Sequence, residues 1–201
     1  MELLVRRTML EKEMFFNEKV FFFNHFFFQI LPADASIKID VINKLKKTEN
    51  INFNFIQKIN EKTEKGNCTI FYPKKIFCEY FDKKGKILVS NGKSLVIKIK
   101  NTGAYYFYPL ERTPLNLVLD KEFIISKIEQ LDASQEDKDI IRFQIIENNQ
   151  KINIFFDKKT KNLNGWEITD IYQNKNLTTI SNILENQILN EKLFLLPKRT
   201  D

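Results

Sequence analysis

The sequence predicts an α+β fold: one long antiparallel sheet that curls, with a short apolar helix laid on its oily face. Runs of alternating apolar and polar residues recur along the chain, separated by polar turns, which is the pattern of an antiparallel meander. There are about nine or more such runs, and twist accumulating between neighbouring strands makes a single sheet of that width curl. Thr113-Pro114 then opens a segment holding Leu115, Leu117, Val118 and Leu119, which has almost no polar surface of its own and needs an apolar one to lie on.

Composition narrows the class. The chain has 201 residues, 43% of them hydrophobic with 19 Phe, and only 5 Gly and 5 Pro, so it can bury a core and is neither disordered nor fibrous. The net charge of +6 comes from lysines spread along the whole chain. A nucleic-acid partner would call for that charge on one face with a known motif, and none is found. Lys84, Lys86, Lys98, Lys100, Lys158, Lys159 and Lys161 read as solvated surface and edge protection.

Residues 1–35 have a different character. From Met14 the chain reads MFFNEKVFFFNHFFFQILPADA, in which Lys19 precedes an apolar run from Val20 to Leu31 and Ala33-Asp34-Ala35 supplies a cleavage pattern before Ser36. That is the layout of a secretory signal, too short to span a bilayer as a permanent helix. Asn24 and His25 interrupt the apolar run, and the long charged lead-in from Met1 to Glu13 points to a true start at Met9 or Met14. The alternative is an amphipathic or uncleaved anchor. Cleavage would remove His25, the only histidine, and leave one mature domain over 36–201.

The elements follow in order. Ser36 to Glu49 reads as a helix with its stripe at Ile37, Ile39, Val41, Ile42 and Leu45. Asn50 to Ile59 alternates as a strand with Ile51, Phe53 and Phe55 on one face. Cys68 to Tyr72 and Ile76 to Phe81 form two strands turning at Pro73. Cys68 and Cys78 read either as a bridge across that hairpin, in an oxidising compartment, or as two small buried hydrophobes. Asn91-Gly92, as the two loop residues of a type I′ turn, would pair Ser90 with Lys93, Leu88 with Leu95 and Lys86 with Ile97. Leu88, Leu95, Ile97 and Ile99 then share a face. After Tyr105 to Tyr108, Thr113 is a candidate cap for the apolar helix. Ile124 to Leu131 fits either a helix or a strand. Ile140 to Glu147 and Lys151 to Asp157 form a hairpin about Asn148-Asn149; Trp166 to Tyr172 and Leu177 to Leu184 follow, and the tail through Leu193 to Leu196 docks as a last edge element.

No constellation for covalent chemistry emerges. A mature chain without histidine excludes His-based nucleophile activation, and two cysteines alone do not make a zinc site. Gly-rich phosphate loops and nucleophile elbows are missing. Asp170, inside the strand WEITDIY, is the odd carboxylate, either a catalytic acid lacking an identifiable partner or the cap of a strand end or neighbouring turn. Neither an enzymatic activity nor a cofactor is expected. What is over-supplied is apolar surface for one side of the sheet: Phe53 and Phe55, then Ile70, Ile76 and Cys78, then Leu95, Ile97 and Ile99, then Trp166. Either bulky side chains pack that face or a cavity remains under the Thr113 segment.

Three stretches resemble the LolA family of periplasmic carriers of outer-membrane lipoproteins. ILVSNGKSLV resembles its strand-turn-strand hairpin, YPLERTPLNLVLD its proline-rich lead into a lid helix, and GWEITDIYQNKNLTTISNILENQILNEKLF its closing region; their order and spacing hold from about Ser36 to Pro197. The resemblance implies an incomplete, strongly curved antiparallel half-barrel with a helical lid over a hydrophobic cavity that binds acyl chains. Leu115, Leu117, Val118 and Leu119 fall on the lid, and Ile76 where a cavity-facing aromatic sits. The family often has Arg before the hairpin proline as a lid tether; here it is Tyr72, which would hold the lid through its hydroxyl or by packing. The implied partners are acylated lipoproteins, an inner-membrane ATP-binding-cassette releasing complex and an outer-membrane acceptor, met by a monomer in the periplasm. A lipid-binding sensor or a structural envelope protein of the same fold are the alternatives, followed by a periplasmic hydrolase.

Overall fold

The computed structural model describes residues 33–135, 138–169 and 173–199. The chain begins with α1 (Ala33–Lys47) and the strands β1 (Asn50–Ile59), β2 (Lys62–Phe71), β3 (Lys75–Tyr80), β4 (Lys86–Asn91), β5 (Ser94–Ile99) and β6 (Tyr105–Pro109). Two helices follow, α2 (Leu115–Val118) and α3 (Lys121–Gln130), then β7 (Ser134–Gln135), β8 (Ile140–Glu147), β9 (Gln150–Asp157), β10 (Leu163–Thr169) and β11 (Lys175–Glu185). All the described strands join one antiparallel sheet in the order β6-β5-β4-β3-β2-β1-β11-β10-β9-β8-β7, which curves without closing into a barrel. β1 to β6 and β7 to β11 each run as a meander of sequential neighbours; β6 and β7 end at opposite edges, and β11 returns to pair with β1 at the centre and joins the two arms.

Local chemistry explains the hairpins. Asn148 and Asn149 both take positive φ between β8 and β9, as a two-residue turn of the I′ kind requires. In the β2–β3 hairpin Cys68 lies opposite Cys78 and Ile70 opposite Ile76, and the two cysteines form a disulfide. Of the two readings of the cysteine pair, the bridge is the one the structure contains. Between β4 and β5 the register differs from expectation by two residues: Ser90 pairs with Leu95, Leu88 with Ile97 and Lys86 with Ile99. Asn91 stays in the strand because its side-chain oxygen accepts from Lys93 N at 3.0 Å and Ser94 N at 2.9 Å, so Gly92 and Lys93 make the loop and only Gly92 takes positive φ. An even shift keeps Leu88, Leu95, Ile97 and Ile99 on one face.

Other boundaries differ for equally local reasons. β2 starts at Lys62, six residues before the expected Cys68, because its polar first half pairs along the whole of β1. Ile124 to Leu131 belongs to a helix whose start is capped by Asp120, with Oδ1 accepting from Phe123 N at 3.1 Å. The C-terminal segment is no edge strand: Glu191–Phe194 is a 3-10 turn on the outer face, where Phe194 stacks on Phe71 at 6.0 Å. Asp170 and the signal-like segment before Ala33 lie outside the described residues, and Ala33-Asp34-Ala35 forms the first turn of α1.

The core is built on the inner face. In the β8–β11 arm Ile141, Phe143, Ile145, Ile152, Ile154 and Phe156 are fully buried, and α3 contributes Ile124, Ile125 and Ile128 to the same cluster as Val41, Ile42 and Leu45 of α1. Ion pairs at the margin fix these helices, Lys127 to Glu147 of β8 at 2.8 Å and Lys44 to Glu185 of β11 at 2.5 Å. Lys38 Nζ also donates to Leu131 O at 2.9 Å, joining α1 to the end of α3. Among the described residues the β1–β6 arm has no such pair of helices over it; its cover is the short α2.

The Cys68–Cys78 bridge closes a loop with a sequence separation of 10. Replacing both cysteines by serine should therefore destabilise the domain by about 2.5–3 kcal/mol on a chain-entropy estimate. That corresponds to a fall in Tm of roughly 5–10 °C, readable by thermal denaturation under non-reducing conditions.

Candidate functional site

The inner face of the β1–β6 arm leaves a cavity of about 470 Å³ beneath the start of α2. Register assembles its floor. Phe53, Cys68, Cys78 and Leu88 follow one another across four strands, and Phe55, Gly66 and Tyr80 form the next row. Gly66 is required there: a Cβ would meet the Glu79 carbonyl oxygen at 2.2 Å and the Phe55 ring at 2.5 Å. The Phe55 ring instead lies over the bare glycine and meets Tyr80 edge-on at 5.0 Å. Trp166 of β10 closes the other side, edge-on to Phe53 at 6.4 Å.

Six of the residues expected in the cavity line it: Phe53, Phe55, Ile76, Cys78, Leu95 and Trp166. Ile70 is fully buried in the core behind Ile76. Ile97 and Ile99 are half-buried on the correct face but outside the lining, because the covering segment crosses the sheet at Leu88 and Leu95 and stops there. Beside them on β6, Tyr106 and Tyr108 share that face and remain 48% and 43% exposed. The lining also takes in Tyr80, Leu88 and Ile168, which strand alternation places on that side of the sheet, whereas Thr113, Pro114 and the polar Gln57, Asn176 and Thr178 were missed by sequence reasoning. Strand phase could have found Gln57, which continues the alternation of Phe53 and Phe55.

Of the four residues expected on a lid, only Leu115 faces the cavity. α2 is a single turn, so it presents one side chain inward, while Val118 and Leu119 are buried as its root and Leu117 packs half-buried against the core. Thr113 does not cap it. Its hydroxyl donates back to Leu110 O at 2.8 Å, and Pro114 occupies the cap position. Nor does Tyr72 tether α2, since its ring is buried beside Leu45, Thr48 and Ile51, where burial, reinforced by the Glu185 charge, raises its hydroxyl pKa. Lys74, two residues later, makes the connection. Its N–H donates to Leu119 O at 3.0 Å and its ammonium pairs with Asp120 Oδ2 at 3.0 Å, while Ser90 Oγ donates to Lys74 O at 2.9 Å and steadies the turn.

Charge gathers where the floor meets solvent. Lys86 pairs with Glu64 at 2.5 Å and lies 3.6 Å above the Tyr80 ring, and Lys62 reaches the other oxygen of Glu64 at 2.5 Å. Burial works to raise the Glu64 pKa, but these two ammonium groups outweigh it and hold the carboxyl below its ordinary value. Burial also raises the Tyr80 hydroxyl, with Glu64 and Asp82 adding to it, so it stays a neutral donor. Among the described residues no group of His, Cys, Asp and Glu is arranged to hold a metal ion. The lining can exclude water from an apolar guest.

Two outcomes test this geometry. Gly66→Ala should force the β2–β3 pairing apart at Glu79 as well as push the Phe55 ring off Tyr80, lowering Tm and changing the near-ultraviolet circular dichroism. Because Glu64 titrates lower in the folded chain than its ordinary 4.5, its contribution is present above pH 4.5 and is lost as pH falls through the folded value. Glu64→Gln should accordingly flatten the loss of stability below pH 4.5, measured by urea denaturation across pH 2–7.

Comparison with known proteins agrees with the architecture. A crystal structure of an uncharacterized conserved protein from Thermus thermophilus superposes with a TM-score of 0.51 at 10% identity, over 82% of this chain and 94% of that one, and shows the shared fold. A LolA superfamily protein from Nitrosomonas europaea is also similar, at 8% identity and a TM-score of 0.44 over 83% and 99% of the two chains. LprF from Mycobacterium bovis gives 13% identity and 0.45 over 80% and 98%. No curated protein matches the sequence significantly. The sequence model of the outer membrane lipoprotein carrier protein LolA matches residues 46–197, most of the chain, and the protein therefore belongs to the LolA family.

Proposed function

We propose that this protein is a non-enzymatic carrier that shelters the acyl chains of lipoproteins in the cavity under α2. It moves them through the periplasm as a monomer, from an inner-membrane ATP-binding-cassette releasing complex to an outer-membrane acceptor. In this reading residues 1–35 are the export signal. Family membership and the apolar cavity support the reading. The observation that carries it is the cover itself: one helical turn, rooted by Val118 and Leu119 and anchored to Lys74, inserts the single side chain of Leu115 where a guest would lie.

A carrier must hold its cargo and also release it. Each methylene withdrawn from water contributes about 0.8 kcal/mol, so a long acyl chain in a dry cavity is held tightly. Leu115 competes for the same surface, and its return offsets part of that binding energy. Affinity stays intermediate, and an acceptor with a somewhat better site can receive the cargo.

The test uses the half-buried lining residues Leu115 and Leu88, because replacing the fully buried Ile76 would endanger the fold. Protein purified from the periplasm should carry acylated material detectable by mass spectrometry. Leu115→Glu and Leu88→Glu should each remove most of it, by roughly 100-fold, because an unpaired carboxylate in an apolar site costs several kcal/mol. Wild-type stoichiometry in both variants would overturn the assignment.

A further inference from the structure

The cavity is not apolar along its whole length. On β1 the inward phase that carries Phe53 and Phe55 continues to Gln57 and Ile59, and on β11 the phase that reaches Ile180 starts from Asn176 and Thr178. Register sets Thr178 between Gln57 and Trp166, and Asn176 between Ile59 and Ile168. A band of amide and hydroxyl groups therefore crosses the strands at one end of the chamber, where Asn60, Asn174 and Lys175 also line it, and all three band residues face the cavity. Gln57 Nε2 donates to Thr178 Oγ1 at 3.4 Å, which leaves the threonine hydroxyl proton free to turn elsewhere. Asn176 Oδ1 is buried and accepts no hydrogen bond. A buried acceptor of this kind is unfavourable, and an apolar residue would fit the alternation of β11 without that cost.

We propose that Gln57, Thr178 and Asn176 form a polar subsite that receives the head group of an amphiphile through its amide N–H or hydroxyl, with Asn176 Oδ1 as the acceptor. The acyl chain then runs from this band toward the Cys68–Cys78 bridge and Leu115. The cavity so built selects by head group as well as by oiliness, favouring N-acylated over O-acylated ligands of equal length. This inference rests on the carrier reading but asks for more than that reading does.

The experiment uses two probes that differ in one atom, N-hexadecanoylglycine methyl ester and its ester counterpart, O-hexadecanoylglycolic acid methyl ester. Each displaces a fluorescent fatty-acid probe from the full mature protein. Wild type should bind the amide about 5–10-fold more tightly, the range of one net hydrogen bond. Asn176→Leu should bring the ratio to about 1, whereas Asn176→Asp, which keeps an acceptor at that position, should preserve it. Equal binding of both probes by wild type, or an unchanged ratio in Asn176→Leu, overturns the subsite and leaves the carrier reading standing. Binding of neither probe overturns both.

Discussion

Cover is shared unequally between the two arms of the sheet. Strand alternation gives the inner face an apolar surface from β8 across to β5, interrupted only at one end by the polar band on β1 and β11, and that surface must be removed from water. Over the β8–β11 arm it is met by two helices of 15 and 10 residues whose own apolar stripes complete a packed core. Over the other arm a four-residue turn does the covering. A turn of that length cannot fill what two helices fill. The chamber under Leu115 is thus a consequence of chain allocation and needs no special residue to hollow it out.

The brevity of the cover was legible in the sequence, from the shortness of the Leu115–Leu119 run and the strand alternation beneath it. The second helix over the packed arm was not, because Ile124 to Leu131 fits a helix or a strand until its Asp120 cap is seen. The antiparallel meander and the inward phase of most lining residues were legible from the same alternation. What escaped depended on side-chain hydrogen bonds, which periodicity does not encode. Asn91 prefers to accept from Lys93 and Ser94 rather than enter the loop, and this moved the register by two. Thr113 donates where a cap would accept. The anchor of α2 falls on Lys74 because the residue before the proline turns toward α1, a direction that no spacing rule specifies.

The lysines have a local logic as well. Lys86 and Lys62 enclose Glu64 and cap the Tyr80 ring, Lys74 fixes α2, Lys121 Nζ donates to Thr48 O at 3.0 Å, and Lys44 and Lys127 pair the long helices to the sheet. Much of what reads in the sequence as diffuse basic charge is therefore committed to positions where an element ends or two elements meet. Single pairs of this kind at a surface contribute little each, and their value here lies in placement.

Asp120 divides its carboxylate between two duties. One oxygen caps the first turn of α3 through Phe123 N, and the other holds the Lys74 ammonium at the foot of α2. Lifting α2 would pull on the same group that keeps the start of α3 wound, and α3 belongs to the packed half of the molecule. The hollow half and the solid half thereby share one carboxylate, so a guest that lifted α2 would loosen the first turn of α3 and lower its amide protection.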